Sequence, residues 1–168
     1  MLRSKIRQQI EEKILASYEN MYRIAYSHVR NEDDALDIVQ DSAYKAIKYA
    51  NSVKKEQYID TWIYRIVINC AIDFIRKNKK EVLTDIPEEL DTNGTTDTYT
   101  DFDTLEALDA LTEKERAVII LRFFEDKKLD EIADILSMNA NTTKSLLYRS
   151  LKKLKIELEK GEMPYEKF

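Results

Sequence analysis

The sequence predicts an all-α protein of two small helical domains joined by an acidic, flexible linker. Three observations carry this expectation. Only two Gly and two Pro occur in 168 residues, too few turn formers for a β-sandwich or barrel. Apolar residues recur at helical spacing on both sides of the chain's middle. Between Glu81 and Glu113 stand eleven acids and no Lys or Arg, around Pro87 and Asn93-Gly94, with no sustained period. The domains are therefore expected at 1–80 and 105–168, with the linker at 81–104.

Each element follows in order. Over residues 5–29, Ile10, Ile14, Leu15, Tyr18, Met21, Tyr22, Ala25 and Val29 keep helical spacing. Asn31 offers an N-cap, and Glu32, Asp33 and Asp34 fill the positive first turn of the next helix. That helix is expected to bury Ala35, Ile38, Val39, Ser42, Ala43, Ala46 and Ile47. After the break "NSVKKEQ", Ile59, Trp62, Ile63, Ile66, Val67, Cys70 and Phe74 form the expected apolar stripe of a third helix, which "RKNKK" ends. Three or four helices then make a bundle. In the C-terminal part, Thr112 and Glu115 form a capping box. A short helix, a polar break near Ser137 to Ala140 and a longer helix from Asn141 give the layout of a helix-turn-helix, with small Ala133 at the crossing.

Composition narrows the function classes. No apolar run approaches the twenty residues needed to span a bilayer, and the N-terminus lacks the apolar core of a signal peptide. A cytoplasmic protein without direct membrane insertion is expected. One Cys and one His leave too few soft ligands for structural zinc, and no disulfide can form within the chain. No metal and no cofactor are implied. The net charge of −5 is local: outside the acidic segment, 27 basic residues face 21 acidic ones (32 less 11).

Three constellations carry chemistry. On the last helix, Thr142, Lys144, Ser145, Tyr148, Arg149 and Lys152 lie toward the N-terminal end, where a recognition helix meets base edges. Lysines on a solvated helix face are the alternative. Asp34, Asp37, Gln40, Asp41 and Tyr44 share one outward face, which could be solvated, hold a metal or dock a basic partner. Opposite the third helix's apolar stripe, Tyr64, Arg65, Ile68, Asn69, Arg76 and Lys77 combine aromatic, amide and basic groups. Such a face suits unstacked bases, although basic residues at a helix C-terminus also complement its dipole. Trp62 is expected in the core, and Cys70 as an inert packed thiol.

"DALDIVQDSAYKA", "YIDTWIYRIVINCAIDFIRK" and "LTEKERAVIILRFFEDKKLDEIADIL…NTTKSLLYRSLKKL" together resemble a bacterial RNA polymerase sigma factor of the extracytoplasmic-function group. The likeness runs from about Ile10 to Leu158. It implies a non-enzymatic initiation factor that binds core RNA polymerase through the β′ clamp helices and the β flap. It also implies a response to extracytoplasmic stress under an anti-sigma factor, often a membrane-bound one. By this resemblance Asp34, Asp37, Gln40, Asp41 and Tyr44 dock the clamp helices. The loop Ala50 to Tyr58, with Tyr58, Tyr64, Arg65, Asn69, Arg76 and Lys77, would capture the −10 single strand. Thr142, Lys144, Ser145, Tyr148, Arg149 and Lys152 would read the −35 duplex.

The chain departs from the family at Asn141, where Gly is usual, at Leu146 and Leu151, where Arg is common, and at Lys128, where Ser or Thr often caps. Loss of two phosphate-facing cations is expected to weaken −35 binding. Other classes stay in view: an ordinary helix-turn-helix regulator with an effector or dimerisation domain, an enzyme using Asp34, Asp37 and Asp41 with a divalent metal, and a helical adaptor.

Overall fold

The computed structural model describes residues 2–84 and 105–166, with side chains over 4–79 and 105–160. The acidic segment expected to be a linker falls largely outside these residues. The described residues are helical, with no strand among them, and separate into two compact units that divide near residue 90.

The first unit holds α1 (Leu2–Ala16), α2 (Tyr18–Val29), α3 (Glu32–Lys48) and α4 (Ile59–Thr84). The 5–29 pattern is two helices, not one face. They meet at Ser17, so Ile6, Ile10 and Ile14 are buried from α1 while Leu15, 79% exposed, and Tyr18 point to solvent. The joint between α2 and α3 has no spare residue. Arg30 turns the chain in the left-handed region (φ 53°), and the Asn31 side chain accepts the Asp34 N–H at 2.9 Å as the expected cap. Ala35, Ile38, Val39, Ser42 and Ala46 are buried as their spacing predicts, whereas Ala43 and Ile47, at the edges of that stripe, are half-buried. The Ser42 hydroxyl is satisfied inside the core by donating to the Ile38 carbonyl at 2.6 Å. Two short 3-10 turns, Ala50–Ser52 and Glu56–Tyr58, then lead to α4. Ion pairs from Lys5 to Glu56 (3.5 Å) and Lys13 to Asp60 (3.1 Å) lay α1 along this connection.

The buried side of α4 is rotated from the expected one. Ile59, Ile63, Tyr64, Val67, Ile68, Cys70, Ala71 and Ile72 face the core, whereas Trp62, Ile66 and Phe74 are half-buried. Nearly every turn of α4 carries apolar residues on several sides, so periodicity alone does not choose the face.

The second unit opens with a helical turn at 105–108, followed by α5 (Glu113–Ile119), a π turn (Ile120–Phe124), α6 (Leu129–Leu136) and α7 (Ala140–Glu166). Leu108, Ile119, Leu121 and Ile132 are fully buried, and Leu146 and Leu147 close the core from α7. Thr112 and Glu115 form the capping box in both directions, at 3.3 and 2.9 Å. Lys128 has no side-chain acceptor to cap α6, so only the reverse half forms there: the Glu131 carboxylate accepts the Lys128 N–H at 3.2 Å.

The turn of the helix-turn-helix is closed by Ser137 at φ 56°. The Met138 N–H donates to the Ala133 carbonyl at 2.9 Å and the Ser137 N–H to that of Asp134 at 3.3 Å. Asn139, not Asn141, caps α7, accepting the Thr142 N–H at 2.7 Å on its side chain. Asn141 is an exposed residue inside the helix and takes no part in the turn.

Candidate functional site

Three surfaces carry the residues singled out above. The first is the outer face of α3. Asp37, Gln40, Asp41 and Tyr44 are exposed and Asp34 is half-buried, all on the side away from the core. Burial, then repulsion from Asp37 and Asp33, pushes the Asp34 carboxyl above its ordinary value. Asp41 pairs with Lys45 one turn along, at 3.2 Å. Among the described residues no three His, Cys, Asp or Glu side chains gather as a metal site. What the face offers is a row of carboxylates, with Tyr44 exposed beside them.

The second surface lies between α3 and α4. Tyr58, at the end of the turn before α4, and Asn69, Arg76 and Lys77 on α4 are exposed, and Arg65 is half-buried. Tyr64 does not join them. It is 5% exposed and its hydroxyl accepts from the Asn20 amide at 3.3 Å. It stands five residues from Asn69, about 140° around the helix at 100° per residue, which places it in the core. Ile68, next to Asn69, is buried for the same reason.

Trp62 and Ile66 occupy the Asn69 side instead and wall an open cleft of about 340 Å³. Lys45 and Tyr49 from α3, Ser52 from the following turn, and Asn69, Cys70 and Asp73 complete it. Of the loop Ala50 to Tyr58, expected to help capture the −10 strand, only Ser52 lines this cleft. The Lys45 ammonium donates to the Cys70 sulfur at 3.6 Å. Burial pushes the Cys70 thiol up, so it stays neutral. Lys48 lies over the rings of Tyr44 and Tyr49, at 5.8 and 5.3 Å from their centroids, at the end of α3 that borders this cleft. An indole wall with an amide at its edge suits a planar, hydrogen-bonding ring.

The third surface is the start of α7. Thr142, Lys144, Ser145, Tyr148, Arg149 and Lys152 are all exposed, Tyr148 by 60%. From Ala140 to Ile156 the helix carries no acid. Leu146 is buried against the core and Leu151 is half-buried. Leu146 is thus a packing position, and no cation there would face phosphate without leaving the core. The expected loss of two contacts does not hold at that residue.

Sequence reading missed the depth of Glu115. Beyond its capping role, its carboxylate is 2% exposed and pairs with Lys153 at 3.0 Å and Arg149 at 3.4 Å. Burial alone would push this carboxyl up. The Thr112 N–H, the Lys153 ammonium and the Thr112 hydroxyl outweigh it and hold the group below its ordinary value. The pairs span 34 and 38 residues, a separation that local pattern cannot reveal.

Comparison with known proteins places the chain in a family. Residues 15–81 match the family model of sigma-70 region 2, and residues 102–154 that of sigma-70 region 4. The chain is 47% identical over 146 residues to the RNA polymerase sigma factor SigV of Bacillus subtilis, covering 86% of this chain and 88% of that one. It is 29% identical over 157 residues to the ECF RNA polymerase sigma factor SigW of the same organism, covering 83% of each. The fold is shared with the sigma factor RpoE of Bartonella quintana, solved with the anti-sigma factor NepR (TM-score 0.73, 23% identity, 90% and 98% covered). It is also shared with CnrH, solved with the cytosolic domain of CnrY (TM-score 0.71, 18% identity, 94% and 95% covered). The chain belongs to the sigma-70 family, in the extracytoplasmic-function group of bacterial RNA polymerase sigma factors.

Proposed function

We propose that this sigma factor docks core RNA polymerase through the acidic outer face of α3, opens the −10 element at the α3–α4 surface and reads the −35 duplex with the start of α7. The observation that carries the reading is the division of labour between two units of one chain. The first pairs a carboxylate row with an aromatic, amide-edged cleft; the second presents a basic helix start free of acids.

Carboxylates on α3 complement a basic partner surface and set the rate and register of docking. Trp62, Tyr49 and Asn69 suit one unstacked base, stacked on the rings and hydrogen-bonded by the amide, with Tyr58, Arg65, Arg76 and Lys77 along the strand's path. Thr142, Lys144, Ser145, Tyr148, Arg149 and Lys152 would lie in the major groove, with bases and phosphates shared among them. Tyr64 supports the cleft from behind rather than touching DNA.

The proposed working place is the cytoplasm, beside the polymerase. No described helix is long and apolar enough to cross a membrane. The proposed regulator is an anti-sigma factor covering these faces, and the proposed inducer a signal arising at the cell envelope. RpoE, solved with its anti-sigma factor NepR, lends support to such control.

The test is native co-purification with core polymerase followed by run-off transcription. Stable holoenzyme with promoter-dependent transcripts is expected. Binding to duplex DNA without any binding to core would instead indicate an ordinary helix-turn-helix regulator.

A further inference from the structure

We propose that Glu115 is a positioning residue for base reading: it holds the Arg149 guanidinium by its Nε edge and leaves the two terminal amino groups to read a guanine. The inference rests on the assignment of α7 to the −35 duplex.

Capping alone does not explain Glu115. The cap uses only Oε1, which accepts the Thr112 N–H at 2.9 Å, and a neutral Gln could serve there equally well. A carboxylate buried at this depth needs cations, and both come from the recognition helix. Lys153 reaches Oε1 at 3.0 Å and Arg149 Nε reaches Oε2 at 3.4 Å. The second oxygen thus has no part in the cap and faces the arginine.

The Arg149 side chain is 63% exposed although its Nε reaches Glu115, so one edge of the guanidinium is tethered on a side chain that stands mostly in solvent. A free arginine carries much rotamer entropy, and tethering one edge removes part of it before DNA arrives. Guanine offers O6 and N7 side by side in the major groove, which two parallel N–H donors match. With Nε engaged, Nη1 and Nη2 provide that pair. At 3.4 Å the tether is long and guides more than it locks. Lys153 completes the device: if Arg149 shifts toward a base, the buried carboxylate keeps a cation and the Thr112 N–H.

The experiment uses holoenzyme reconstituted from the full chain and core polymerase, selected on promoters with a randomised −35 element. Wild type is compared with E115Q, R149A, R149K and E115Q/R149A, and thermal melting is recorded for each. R149A should abolish a guanine preference at one position. E115Q should lower that same preference by about 3- to 10-fold, leaving other positions unchanged, and the double variant should be no worse than R149A. R149K keeps the charge but loses the fork and should behave as R149A. Uniform weakening by E115Q at every sequence, or no change in preference, overturns the positioning role. Should E115Q fail to fold, a full guanine preference in R149K overturns it instead. If R149A leaves every base preference intact, the −35 assignment of Arg149 itself falls.

Discussion

Reversing the charges of Asp37 and Asp41 separates docking from folding. Both residues are exposed on α3, and Asp41 pairs with Lys45 at 3.2 Å between groups 50% and 40% exposed. An exposed i,i+4 pair contributes about 0.3–0.5 kcal/mol, and a Lys–Lys pair in its place costs a similar amount. The D37K/D41K chain should therefore lose about 1 kcal/mol of stability at most, a fall in Tm of roughly 4–8 °C for a unit of this size. Docking should suffer more. One opposed charge pair near 4 Å in water is worth about 1 kcal/mol, and reversal turns attraction into repulsion at two positions. With partial salt screening, about 2–4 kcal/mol is lost, a Kd roughly 30- to 1,000-fold weaker. The assay is titration of fluorescently labelled chain with core polymerase across a salt series, beside thermal melting. A Kd within about threefold of wild type would refute the reasoning. So would an equal loss from E12K/E19K, which reverses exposed acids on α1 and α2.

At the cleft, N69A should leave melting unchanged, since Asn69 is exposed, yet reduce permanganate reactivity of the −10 region in open complexes. Y64F should do the reverse, costing about 0.5–1.5 kcal/mol for the buried hydroxyl without a direct effect on melting of DNA. Replacing Ser137 by Gly should stabilise the second unit by about 1 kcal/mol, because φ 56° strains a residue with a Cβ; denaturant unfolding reads the gain. The depressed Glu115 carboxyl contributes stability that is full above its ordinary value of 4.5 and is lost as pH falls through the folded-state value. Thermal melting between about pH 6 and pH 3 should thus show wild type losing its advantage over E115Q in acid; parallel curves would deny the linkage.

What the sequence disclosed tracks how one-sided each helix is. α3 alternates apolar and polar residues cleanly, so its core face and its carboxylate row were both readable, as was the Asn31 cap. α7 is readable in part: Thr143, Leu147 and Ser150 mark the inner side against a run of Lys and Arg, whereas Leu146, expected toward phosphate, packs in the core. α4 was not: Trp62, Ile66, Ile68 and Phe74 fit more than one face, and the packing of α2 against Tyr64, through Asn20, settles the rotation. Glu115 was legible as a cap but not as an anchor for Arg149, since nothing local signals a partner 34 residues away. The start of α7 is ambiguous in sequence because both Asn139 and Asn141 can cap, and only the tight closure at Ser137 selects the first.

The seamless elbow at Arg30–Asn31 turns α3 into a ruler. Seventeen residues at 1.5 Å each make a rod of about 25 Å, clamped at one end by the elbow and at the other by the Ala50–Ser52 turn. Asp37, in the middle of the carboxylate row, and Lys45, at the rim of the cleft, are eight residues apart, so these two points are held about 12 Å from each other along one axis. Whatever grips the first thereby surveys the second into place, with no hinge between them to take up error. Adding or removing one turn between Asp37 and Lys45 would change that separation by about 5.4 Å. Spacing along α3 is thus a quantity open to selection in its own right, separate from the identity of any residue that touches a partner.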